Sequence, residues 1–227
     1  MTLPKTPSFR LDGKRALVTG GSRGIGLGGA VALAEAGAHV VITARTADEV
    51  NAAAHGMRDA GYNKVDAVVL DVTDLDALNI FINDQAPFDI LFNNAGTNKP
   101  TPFIDVTPDQ YDMISNINSR AAFFVAQVVV KKMIEAGKGG SIIHTSSQMA
   151  HVGGLDRSVY CQTKFGIEGL TKTMALELAE HKIRVNTICP TFIRTPMTQS
   201  TFDDPERVAW LTSKICLLYT SPSPRDS

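Results

Sequence analysis

Arg15-Ala-Leu-Val-Thr19 runs straight into Gly20-Gly-Ser-Arg-Gly-Ile-Gly26, and from residue 25 to 36 the chain keeps a helical period. A short apolar strand, a glycine-rich turn and a helix therefore follow one another without a break. Such a turn leaves free backbone N–H groups at the positive end of the helix dipole, an arrangement that favours a diphosphate. Gly20, Gly24 and Gly26 fall in a GxxxGxG spacing. A side chain at these points would hold a pyrophosphate off the amides or keep the helix away from the strand. Gly28 and Gly29 continue into the helix, where each costs about 1 kcal/mol relative to Ala and calls for a packing reason.

The alternation repeats along the chain. Predicted strands cover residues 15–19, 39–43, 65–70, 89–92, 141–145 and 184–188, and their apolar residues run on with little alternation, as strands covered on both faces do. Predicted helices fill the gaps at 25–36, 47–60, 75–84, 108–136 and 159–180, the fourth opened by the N-cap pair Thr107-Pro108. Strands alternating with crossover helices define an α/β fold built on one doubly wound parallel sheet with helices on both faces. No linker divides residues 11–215, so the expectation is one dinucleotide-binding domain over 1–215.

Composition narrows the function. The 227 residues are 44% hydrophobic and 20% charged, the balance of an ordinary globular chain. Lys plus Arg is 22 against 23 Asp plus Glu, so no basic field draws the chain to nucleic acid or anionic lipid. The longest apolar stretch, 121–130, includes Gln127 and reaches half of the roughly 20 residues a bilayer span needs, so no membrane helix is expected. The first 15 residues hold no apolar export segment, which predicts a cytoplasmic protein. Cys161, Cys189 and Cys216 are odd in number and widely spaced; free thiols are expected, with no disulfide framework and no metal. Residues 216–227, CLLYTSPSPRDS, break abruptly from an amphipathic segment, and their back-translation resembles an adapter used in sequencing libraries. A non-native tail is the expectation there, with a natural C-terminal extension as the alternative.

At the end of the second strand a free ribose 2′-hydroxyl is usually met by an acidic residue and a 2′-phosphate by a cation. This chain has Ala44 and then Arg45, which predicts a preference for NADP(H) over NAD(H), with Arg23 as a second phosphate contact. Asp71, after the third strand, is placed either to accept from an adenine amino group or to cap the next helix.

Tyr160 and Lys164 stand four apart at the start of a predicted helix, so both side chains leave one face. A phenol titrates near ~10 and moves protons poorly at neutral pH unless a nearby ammonium and the cofactor's positive ring favour the phenolate; Lys164 is expected to supply the ammonium. Ser147, thirteen residues before Tyr160, ends the fifth strand and offers a hydroxyl to a carbonyl or alkoxide oxygen, with Ser146 as its competitor. Asn118 interrupts the long fourth helix. Its amide either anchors a water that passes protons to Lys164 or is a satisfied core amide.

Thr19–Gly26, Asn93-Asn-Ala-Gly96, Asn118, Ser147 and Tyr160-x-x-x-Lys164, in that order, resemble the short-chain dehydrogenase/reductase family over residues 11–215. The resemblance implies a Rossmann-like domain, a bound NAD(P), and a catalytic tetrad of Asn118, Ser147, Tyr160 and Lys164. It places the cofactor against Gly20, Ser22, Arg23, Gly24, Ile25 and Gly26, against Arg45, Asp71 and Val72, and against Asn94, Ala95 and Gly96. Tyr160, Lys164, Pro190, Ile193 and Thr195 complete the implied cofactor contacts, and Asn94 is implied to fix the fourth strand. It further implies hydride transfer between an alcohol or ketone carbon and nicotinamide, and a homo-oligomer, dimer or tetramer. Two departures stand out. Pro190-Thr191 replaces the family's usual Pro-Gly, and the family's closing strand is missing before the foreign-looking tail. Ser147–His151, Pro196–Ser200 and Asp203–Glu206 look similar to enzymes acting on sugar acids such as gluconate, with 3-oxoacyl thioesters as the alternative substrate class. A cofactor-binding protein without catalysis is the reading from a different class, and it usually lacks part of the tetrad.

Overall fold

The computed structural model describes residues 8–214, so the expected non-native tail lies outside the described residues. Six strands, β1 (Arg15–Thr19), β2 (His39–Ala44), β3 (Val65–Val69), β4 (Ile90–Asn93), β5 (Gly140–Thr145) and β6 (Ile183–Ile188), form one sheet. Their order is β3-β2-β1-β4-β5-β6 and every pair is parallel. Strand order reverses between β1 and β4, which opens a crevice beyond the carboxyl ends of those two strands. Among the described residues β6 is an edge strand.

Helix α1 (Gly24–Glu35) and α2 (Ala47–Asp59) cover one face of the sheet. There Ala30, Val50, Ala54 and Met57 pack on Ala16, Val18, Val40 and Ile42. The other face carries α3 (Leu75–Asp84), the successive helices α4 (Pro108–Ser115) and α5 (Ala122–Ala136), and α6 (Ser158–Glu177). Leu78, Ile82, Val125, Val129, Met133 and Met174 meet Leu17, Leu91 and Ile142 there. Neighbouring residues of β1 thus feed opposite cores, which is why its apolar residues are continuous. Thr107 caps α4 as predicted, its Oγ1 accepting from Gln110 N at 3.3 Å.

Two predicted features change. The single predicted helix over 108–136 is α4 and α5 joined by a π turn, Asn116–Ala121, where the backbone ladder shifts by one residue. Hydrophobic period alone does not register such a shift. That whole segment, Pro108–Ala136, is also long and apolar enough by length and composition to cross a membrane, which the count of uninterrupted apolar residues overlooked. Its packing against the sheet through Val125, Val129 and Met133 accounts for that apolarity. Beyond β6, α7 (Gln199–Phe202) and α8 (Pro205–Lys214) are additional to the predicted helices.

Gly29 has its packing reason: a Cβ there would overlap the Phe92 ring, so α1 can press onto β4 only without a side chain. Gly28 faces open space, and nothing in the structure explains it. Gly29→Val is expected to lower the urea midpoint at unchanged slope, a loss of about 1–3 kcal/mol from overpacking.

Candidate active site

The crevice beyond β1 and β4 is a cavity of about 460 Å³. One side is the turn from Gly20 to Gly26. Arg45 and Val72 line the β2 and β3 side, Asn94–Gly96 the floor, and Ser147, Tyr160, Lys164, Pro190, Ile193 and Thr195 the remaining wall. Of the residues predicted for the site, only Asp71 and Asn118 stand outside this lining.

The glycine turn has a definite construction. Gly20 takes φ +64°, a conformation side chains disfavour, and a Cβ on Gly26 would collide with the Gly20 carbonyl and the Asn94 amide. Asn94 Nδ2 donates to Thr19 O at 3.1 Å and Gly20 O at 3.2 Å, while Thr19 Oγ1 accepts from the backbone N–H groups of Asn94 and Ala95. Thr145 Oγ1 donates to Asn94 Oδ1 at 3.1 Å, so the exits of β1, β4 and β5 are tied together. Asn94 therefore fixes the glycine turn as much as the fourth strand. A cradle that excludes Cβ atoms at a helix N-terminus fits a dinucleotide diphosphate. Thr43 adds a buried Oγ1 on the cavity wall that has no partner among the described residues.

The charged residues sort differently from expectation. Arg23 pairs with Glu49 at 3.0 Å, and Ser22 Oγ donates to the same carboxylate at 3.4 Å. Arg45 is exposed at the rim, and among the described residues no carboxylate pairs with it. Asp71 Oδ1 accepts from Thr73 N and Thr73 Oγ1, at 2.9 and 2.7 Å. The cap of α3 is Asp74, which accepts from Asp76 N and Ala77 N, so the predicted capping role belongs three residues later.

At the opposite wall α6 presents Tyr160 and Lys164 from one face, as their spacing predicts. Lys164 is buried and its Nζ donates to Thr145 O at 2.7 Å. It lies 5.6 Å from the centroid of the Tyr160 ring. Burial pulls the Lys164 ammonium from the ordinary 10.5 down to about 8, against an opposing effect of Cys189. Burial pushes the Tyr160 phenol up in the protein alone, and the Ser147 hydroxyl and Arg157, which act downward, do not offset it. Ser147 is thus the serine that faces the phenol; its Oγ also accepts from Met149 N at 3.1 Å, capping a short turn. Ser146 Oγ is buried with no hydrogen-bond partner among the described residues.

Asn118 sits in the π turn, buried, with its Oδ1 accepting from Thr97 N at 2.8 Å. Its Nδ2 donates to Thr97 O at 2.9 Å and to Thr163 Oγ1 at 3.2 Å. Both amide protons and the amide oxygen are thus taken within the protein. Asn118 clasps the backbone just after Gly96 to the helix that carries Tyr160. Sequence reasoning missed Thr97, Thr145 and Thr163, whose contributions come through partners 19 to 51 residues away.

His144, buried on β5 behind the site, meets Asn93 Nδ2 through its Nδ1 at 3.3 Å. Burial and the Lys164 charge pull the imidazole down to about 4, so it is neutral at neutral pH.

A glycine-lined cleft at the switch point of a parallel sheet, facing a serine, a tyrosine and a lysine, defines a nucleotide-dependent oxidoreductase. The family model for short chain dehydrogenases matches residues 14–206, and the chain belongs to that family, whose members bind NAD(P) and act on CH–OH groups. The chain is 39% identical over 209 residues to the L-xylulose reductase of Bos taurus, a match covering 92% of this chain and 84% of that one. It is 37% identical over 210 residues to the gluconate 5-dehydrogenase of Gluconobacter oxydans (strain 621H), covering 91% and 81%. Among solved structures it is similar to a gluconate 5-dehydrogenase from Burkholderia cenocepacia J2315 in complex with NADP and tartrate. That match has a TM-score of 0.86 and 35% identity, over 91% of this chain and 82% of the other.

The depressed Lys164 has a consequence for stability. Between pH 8 and 10.5 the unfolded chain binds the lysine proton that the folded chain has released, so raising pH through this window favours folding. Wild-type stability measured against Lys164→Met is expected to rise from pH 8 to 10.5; a flat or falling difference in urea midpoints would refute the buried ammonium.

Proposed function

We propose that the chain interconverts a secondary alcohol and a ketone on a sugar acid or polyol, with NADP(H) as its cofactor. The observation that carries this reading is that Ser147, Tyr160 and Lys164 share one cavity with the glycine turn. When bound, the nicotinamide supplies the two-electron redox partner and, in its oxidised form, a positively charged ring. The glycine turn holds the diphosphate, and Arg45 meets the ribose 2′-phosphate. Arg23 is less available for that phosphate, because Glu49 already holds it. Asp71, turned to Thr73, is an accessory of the adenine side at most.

Ser147 Oγ donates to the substrate oxygen. Tyr160 Oη gives that oxygen its proton during reduction and takes it back during oxidation. Lys164 holds the ribose and sets positive charge beside the phenol. Asn118 acts as a positioning residue through Thr97 and Thr163. The sugar-like substrate class is supported by relatives named L-xylulose reductase and gluconate 5-dehydrogenase. Free thiols at Cys161 and Cys189 support a cytoplasmic setting. Phe123, Phe165 and Met113, exposed on α4 to α6, support a homo-oligomer.

Tyr160→Phe is expected to cut turnover of sugar ketones by about 100-fold or more while leaving NADPH fluorescence titration unchanged. The same titration is expected to show tighter NADPH than NADH binding. Retained turnover refutes the role of Tyr160, tighter NADH overturns the cofactor assignment, and faster reduction of a 3-oxoacyl thioester replaces the substrate class.

A further inference from the structure

Behind the catalytic wall three metal-ligating side chains converge from three segments. His151 follows the short turn Gln148–Ala150, Glu168 lies one helical turn beyond Lys164 on α6, and Cys189 comes just after β6. Their donor atoms all lie within 4.8 Å of one another. Cys189 Sγ is 3.4 Å from His151 Nε2 and 3.3 Å from Glu168 Oε1. Zinc bonds of about 2.3 Å to sulfur and 2.0–2.2 Å to nitrogen or oxygen, set tetrahedrally, place neighbouring donors roughly 3.3–3.6 Å apart. The cysteine is therefore already at zinc spacing from both partners.

We propose that His151, Glu168 and Cys189 form a binding site for zinc, with water in the fourth position. The donor set of one thiolate, one imidazole and one carboxylate selects a borderline-soft ion over magnesium or calcium. Thr187 Oγ1 donates to Glu168 Oε2 at 3.3 Å, which orients the carboxylate and leaves Oε1 toward the sulfur. Exposed His151 gives a hydrated ion a route in. Binding replaces the Cys189 S–H bond with a sulfur–zinc bond and releases that proton to solvent, with no change of oxidation state. Wide sequence spacing hid the cluster: the fold alone brings residues 151, 168 and 189 together. A bound ion would join the turn that follows Ser147, the helix that carries Tyr160, and the strand exit that leads to Pro190.

The test uses the full chain, stripped with chelator and titrated with Zn²⁺ or Co²⁺ alone. One equivalent of Zn²⁺ is expected to bind and raise Tm, and Co²⁺ is expected to give a thiolate charge-transfer band with the intense visible bands of a four-coordinate site. Cys189→Ser and His151→Gln are expected to lose the stoichiometric binding. Glu168→Gln is expected to weaken it by more than the ~10–100-fold typical of losing an outer-shell partner. Cys161→Ser is expected to keep it. Far-UV circular dichroism of each metal-free variant separates loss of ligand from loss of fold, and the cobalt spectrum of the wild type stands without any variant. No charge-transfer band in the wild type, equal zinc affinity in Cys189→Ser, or loss of binding in Cys161→Ser would overturn the site.

Discussion

An ammonium taken out of water beside a phenol is the constraint from which the site follows. Among the described residues Lys164 has one short hydrogen bond, to the carbonyl of Thr145 at the end of β5, and burial draws its pKa down to about 8. That carbonyl is presented toward α6 because β5 ends there. Tyr160 stands one helical turn before Lys164, so the same helix delivers the phenol to the same place. Moving either element would leave the buried ammonium without its acceptor.

The cofactor side of the cavity is held by a second set of bonds with a different logic. Thr19 and Thr145 end β1 and β5 and Asn94 directly follows β4, and their side chains and backbone knit the three strand exits together. Asn94 reaches back to the carbonyls of Thr19 and Gly20, so the glycine turn and the wall that holds Tyr160 and Lys164 share one floor. Asn118 extends that floor by clasping Thr97 to Thr163 on α6. The π turn around Asn118 carries it inward from a helix whose other residues follow the ordinary period.

What the chain states locally could be read from the sequence, and what depends on distant partners could not. The strand–glycine–helix passage at 15–26 and the four-residue step from Tyr160 to Lys164 carry their geometry in their spacing, and both stand as expected. Strand limits moved by a residue or so, as at β4, where Asn93 joins the strand. Asp71 shows the other case: its spacing suits a helix cap, yet Thr73 takes its carboxylate and Asp74 caps α3. The Arg23–Glu49 pair spans 26 residues and two helices, so no local pattern announces it. The burial of Tyr160 was also hidden, because spacing reveals the neighbouring charge but not how far the phenol is taken out of water.

The proposed proton transfer turns on how a buried phenol changes its acidity, and that can be read at the atom. With tyrosine labelled at the ring carbon bearing oxygen, and the Tyr160 signal assigned from Tyr160→Phe, carbon NMR follows ionisation against pH with and without NADP⁺. The account requires a midpoint above the ordinary phenol value of 10 in the chain alone and a clear fall once NADP⁺ is added. A midpoint already depressed in the chain alone, or one that NADP⁺ leaves unmoved, would contradict it.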